Sequence, residues 1–126
     1  MPLTTAGQNL IAAAIVGTAY NAFNNANAAI GVGDSTTAFS QAQTDLQAST
    51  NKYRQAVDAT FPTIATNVLT FQVTFGTGVA NFAWNEWGVF NATSNGTMLN
   101  RKQEALGTKQ NTQSWQFTVT LTCNAQ

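Results

Sequence analysis

Apolar and polar positions alternate most regularly in two stretches. From Val68 to Phe75, Leu69, Phe71, Val73 and Phe75 fall on one side of an extended strand and Thr70, Gln72 and Thr74 on the other, the period-two pattern of a half-buried strand. Trp115, Phe117, Val119, Leu121 and Cys123 alternate the same way against Gln116, Thr118, Thr120 and Thr122. This second stretch is the longest unbroken strand signal. Its polar side carries only hydroxyls and amides, which suits a solvated sheet face or a wet subunit contact. The alternation puts Cys123 among the core side chains as a small hydrophobe.

Helical spacing stands out near the start, where Leu10, Ile11, Ala14 and Ile15 form one stripe of a helix over Ala6 to Val16. Thr4 or Thr5 is placed to cap it and Gly17 to end it. The stripe is narrow and alanine-rich, fit for close packing on a sheet or on a copy of itself, and core packing is the expectation. The asparagine-rich stretch 18–27 predicts a loop anchored by Tyr20 and Phe23. Ala28, Ile30 and Val32 give a short strand, stopped by Gly33-Asp34-Ser35-Thr36, and Ser40 to Leu46 has a weak helical tendency. Asn51 to Asp58 fits both periods and is read as a strand, closed by Pro62.

The block Phe82 to Phe90 gathers much of the aromatic bulk around one acid. On a regular strand Trp84 and Glu86 share a face with Trp87 opposite, unless Gly88 introduces a bulge. Asn91 to Gly96 reads as a hairpin loop and Met98 to Lys102 as the returning strand. Gln103 to Thr112 is polar, carries Gly107, and is expected to be a long exposed loop or irregular edge. The sum is an α+β fold, mostly β: an N-terminal helix packed on an antiparallel sheet or β-sandwich, with residues 1–126 as a single domain.

Composition narrows the function. Only 8% of residues are charged, against about a quarter in ordinary soluble proteins. Five basic residues cancel five acidic ones, leaving no electrostatic footprint for nucleic acid or an anionic membrane. A near-neutral surface is poorly protected against self-association, which suits a working state that is an ordered assembly. Histidine is absent and Cys123 is the single cysteine, so the usual proton shuttle, triad base and metal ligand are missing. No catalytic residue, metal site or cofactor is expected. Leu10 to Val16 is too short to span a membrane and lacks the basic flank of a signal peptide. The Gly31-Val-Gly33-Asp34 piece lacks the spacing of a phosphate-binding loop and reads as a turn.

Glu86 is the one acid in an apolar setting, and a buried carboxylate is normally paired. Arg101 or Lys102 across the hairpin would supply the partner. Trp84 and Trp87 are then packing anchors, and Trp84, Glu86, Trp87, Arg101 and Trp115 are the structural and interface candidates. Exposed tryptophans beside Asn and Gln are also a plausible sugar-binding surface, so a carbohydrate-binding module stands as a separate alternative.

Leu3, Thr4, Ala6 and Gly7, then Gly31 to Asp34, then Trp84, Glu86, Trp87, Gly88, Val89 and Phe90 occur in an order that resembles small virion proteins of tailed bacteriophages related to the tail-collar fibre amino-terminal domain. The resemblance runs over nearly the whole chain. It implies a non-enzymatic structural protein, a homotrimer, assembled in the host cytoplasm onto the virion and contacting a major capsid protein or a tail protein. Fibre proteins of this kind usually continue into a shaft and tip, whereas this chain stops at Gln126. That difference favours a capsid decoration or cement protein stabilising the outer lattice, with a tail-collar or tail-fibre adaptor as the alternative.

Overall fold

The computed structural model describes residues 2–123. Thr4 caps the helix α1 (Thr5–Ile15): its hydroxyl oxygen accepts from Gly7 N at 2.9 Å and donates to Met98 O at 2.6 Å. One side chain thus satisfies a first-turn donor and ties the helix start to the sheet. Gly17, with φ 78°, lies just past the helix in the left-handed region that glycine tolerates.

Seven strands follow: β1 (Ala29–Gly33), β2 (Lys52–Ala56), β3 (Thr63–Ala65), β4 (Val68–Phe75), β5 (Ala83–Phe90), β6 (Met98–Thr108) and β7 (Trp115–Thr122). They form two antiparallel sheets, one in the order β2-β1-β5-β6 and one in the order β3-β4-β7. The architecture is α+β and mostly β, with one core between the sheets. Ile30, Val32, Trp84, Trp87 and Val89 from the first sheet meet Phe71, Val73, Phe75 and Val119 from the second. Phe71, Val73 and Phe75 are buried and Leu69 half-buried, as the alternation predicts.

Every residue of β1 is buried, a pattern that alternation does not produce. The reason is a second covering layer: the segment between β1 and β2 lies over the outside of the first sheet. Ala29 packs there with Leu46, Phe90 and Met98. A Cβ on Gly31 would meet the Phe90 ring at 2.9 Å and Leu46 at 3.0 Å, so small residues on the outer side of β1 make room for the cover.

Four expectations fail. Ser40 to Leu46 forms no helix; Gln43 Oε1 accepts from Ser40 N, the local side-chain bonding that competes with helix. β6 runs on to Thr108 where a loop is expected after Lys102, because Trp84 and Glu86 of β5 still have partners at Gly107 and Gln103. The strand regularity breaks between Trp84 and Glu86 as well as between Val89 and Phe90, so Trp84 and Trp87 both enter the core and Glu86 turns to the outer side. Cys123 is exposed, one residue past the end of β7. Beyond these, β3 is a short, fully exposed strand with no alternation to announce it.

Candidate functional site

Glu86 and Arg101 are both fully buried and joined by a 2.8 Å contact from Arg101 Nε to Glu86 Oε1. Glu86 also accepts from Gln47 N and Ala48 N, each at 2.8 Å. Arg101 donates onward to Thr37 O at 2.9 Å and Gln43 Oε1 at 3.2 Å. Every one of these partners outside the pair belongs to the segment covering the first sheet. The pair is therefore a latch, with charge-assisted bonds holding an irregular strap against β5 and β6. Gly33 lies directly beneath it, since a Cβ there would collide with the Glu86 carboxylate.

Trp84 and Trp87 belong to the interior. Trp84 is 1% exposed and meets Phe75, Trp115 and Phe117 edge-on at centroid distances of 4.9, 5.0 and 6.0 Å. Trp87 meets Phe117 at 5.4 Å. Their indole N–H groups donate inside the molecule, Trp84 to Ala80 O and Trp87 to Glu104 Oε1. That hydrogen bond is the first cause holding the Glu104 carboxyl below its ordinary range; partial burial opposes it and Lys102 adds to it. Buried rings offer no platform to a sugar, so Trp84 and Trp87 do not form the carbohydrate surface weighed from the sequence. Trp115 is half-buried in the same aromatic stack.

The surface that stands out lies elsewhere. At the end of the sandwich where β4 begins and β7 ends, α1 leaves an apolar groove of about 460 Å³. Leu10, Ile11, Ala14 and Ile15 form its helical wall, Tyr20 and Phe23 close one side, and Leu69, Phe71, Leu99 and Leu121 form its floor. The helix is anchored at one end only. Gly7 is its single buried residue, pressed against the Leu99 carbonyl so closely that a Cβ would collide with it. Beyond that anchor Ile11, Ile15 and Val16 are 37%, 80% and 77% exposed. The stripe expected to be core is thus only partly covered: Leu10 and Ala14 are half-buried, while Ile15 stands largely open. No charged side chain occurs before Asp34.

Sequence reasoning missed this groove because a helical apolar stripe looks the same whether its own sheet or another molecule covers it. The absence of any charge in the first 33 positions was the available signal. The site holds no titratable group except Tyr20 and Cys123, and among the described residues no three acidic or thiol side chains converge.

A family model for the phage tail-collar fibre protein, N-terminal domain, matches residues 1–124. No curated protein and no solved structure matches the chain.

Proposed function

The chain belongs to the phage tail-collar fibre protein family, and from that premise we propose that it is a non-enzymatic tail module which docks a neighbouring virion protein through the groove under α1. That it is a structural protein of a tailed phage follows from the family itself. The capsid decoration reading rested on chain length, and length carries no location; the family match favours the tail alternative. The observation that supports docking is the apolar wall left open among the described residues: Ile11 and Ile15, 37% and 80% exposed, on a helix tied to the sheet only through its Thr4–Gly7 end. Exposed apolar patches bordering a groove mark protein contacts in soluble proteins. The partner it fits is uncharged and apolar.

The test uses particles assembled in cells supplying either the wild-type chain or Ile15→Asp. Ile15 is 80% exposed, so the substitution leaves the fold alone while placing a charge in the groove wall. Expected are a few copies per particle, gold-labelled on the tail, with about tenfold or greater loss for Ile15→Asp, since burying an unpaired carboxylate costs several kcal/mol. Labelling spread over the head at lattice copy number, or undiminished incorporation of the variant, would overturn the proposal.

A further inference from the structure

The loop joining β5 to β6 holds a chemically distinctive peptide bond. Asn95 is followed by Gly96, whereas every other asparagine precedes a residue with a Cβ. Asn95 and Gly96 have φ of 56° and 69°, the consecutive left-handed residues of a tight Asn-Gly turn, and both are exposed. Asn91 closes the loop: its N–H donates to Thr97 O at 3.2 Å, its Oδ1 accepts from Thr97 N at 2.7 Å and its Nδ2 donates to Asn21 O at 2.9 Å. Asn91 is therefore locked. The Asn95 carboxamide and the Gly96 N–H, by contrast, hydrogen-bond to nothing among the described residues.

The carbonyl between them is held. Arg54 reaches over from β2 with its guanidinium 3.5 Å from the centre of the Phe90 ring, and its Nη1 donates to Asn95 O at 2.7 Å and to Ala92 O at 3.1 Å. The guanidinium is always charged. A cation on a peptide oxygen acidifies the N–H of that peptide, because deprotonation places negative charge on the same oxygen. Here the acidified group is the Gly96 N–H. A bond from its nitrogen to Asn95 Cγ closes a five-membered ring, and glycine puts no Cβ beside the attacking atom.

We propose that Asn95 is a self-modification site, at which the Gly96 nitrogen attacks the Asn95 side-chain carbonyl and Arg54 promotes the attack through the Asn95 main-chain oxygen. Gly96 N gives its proton to a solvent base and bonds to Asn95 Cγ; the Cγ–Nδ2 bond breaks, and Nδ2 takes up protons from water and leaves as ammonium. Water then opens the cyclic imide at either carbonyl, giving an aspartyl or an isoaspartyl residue. The net change consumes one water, releases one ammonium and leaves one carboxylate, with no oxidant or reductant. The new charge lies in the hollow that Asn95 shares with Asp45 and Arg54, where Asp45 Oδ1 accepts from Arg54 Nη2 at 3.2 Å. A second carboxylate there competes for Arg54, so the modification loosens one fastening of the strap. The proposal is independent of the tail assignment.

Timed incubation of the purified chain in warm, mildly alkaline buffer tests it, read by peptide mapping in a mass spectrometer and by enzymatic methylation of isoaspartate. Expected is that Asn95 converts before any other asparagine. Arg54→Met should slow the conversion about tenfold, the effect of one lost hydrogen bond to a charged group. In urea, where nothing holds the guanidinium on the carbonyl, the two chains should convert at the same rate. Amide hydrogen exchange at Gly96 in the unaltered protein keeps the test open should Arg54→Met fail to fold, because base-catalysed exchange passes through the same deprotonated peptide. That exchange should run faster in the folded protein than in urea. Earlier conversion of another asparagine, an Arg54→Met chain that converts in buffer as fast as the wild type or faster, or slower Gly96 exchange in the folded protein would overturn the proposal.

Discussion

Glu86→Gln removes one charge from the interior while keeping the shape of the side chain, and the structure sets the size of the effect. Glu86 Oε1 accepts from Gln47 N and Arg101 Nε, and Oε2 accepts from Ala48 N, all at 2.8 Å. An amide has one acceptor oxygen, so in either orientation its NH2 confronts a donor, at a cost of about 1–3 kcal/mol. Arg101, at 0% exposure, loses its counter-charge, and breaking one side of a buried pair costs about 3–5 kcal/mol. Relaxation of the strap lets the two overlap, so the expected loss is about 3–5 kcal/mol. A small domain has about 5–15 kcal/mol in total, so the variant should fold but marginally.

Arg101→Met should lose a similar amount, since it strips the partner from Glu86 and donors from Thr37 O and Gln43 Oε1. The double variant removes both charges together. Its loss should fall short of the sum of the singles by about 2 kcal/mol, within the range of contacting pairs. Urea unfolding followed by fluorescence of the buried tryptophans measures all three, at constant slope if unfolding is two-state. Strict additivity, or a Glu86→Gln loss under about 0.5 kcal/mol, the size of an ordinary surface change, would refute the latch.

Two smaller effects follow from single contacts. Gly7→Ala places a Cβ against the Leu99 carbonyl and should cost about 1–3 kcal/mol by overpacking, read as a lower melting temperature with faster amide exchange in α1; unchanged exchange there would contradict the single-anchor account of the helix. Glu104 is held below its ordinary range by Trp87 first. It thus adds stability that is complete above the unfolded value of about 4.3 and lost as pH falls through its lower folded value. Trp87→Phe should move its NMR titration midpoint upward and shrink that acid-side loss.

How much of this was legible in the sequence turns on how far each signal depends on distant parts of the chain. β4 and β7 were readable because they border the core on one side and water on the other, so their own alternation records their surroundings. β1 was readable as a strand but its burial on both faces was not, since its second face is covered by a strap whose residues show no periodicity. The orientation of Trp84, Trp87 and Glu86 was misread for a related reason. Ladder breaks at Trp84/Glu86 and Val89/Phe90 depend on how β6 lies alongside, and Gly88, the residue that advertises a bulge, sits in regular pairing with Arg101. The acid's need for a partner was local chemistry, and Arg101 is where the hairpin puts one. The open groove was the least legible feature, because what covers a stripe is not encoded in the stripe.

The placement of charge ties these features together. Glu86, Arg101 and Lys109 are buried, and Lys109 is spent on Val79 O and Asn81 Oδ1. Asp45 holds Lys52 and Arg54 at 3.2 Å, Lys102 faces Glu104 at the same distance, and Asp58 and Asp34 are engaged by Thr74 and Asn51. Each charge is therefore used to fasten a loop, a strap or a strand edge, and none lines the groove or stands on β7. The groove under α1 remains as an uncharged surface on a molecule whose charges are otherwise engaged. A contact made there would gain nothing from long-range steering and owe little to ionic strength, so a partner docking in the groove would be selected by shape. For a part built into a particle at high local concentration, slow unsteered encounter is tolerable and a fit indifferent to salt is an advantage.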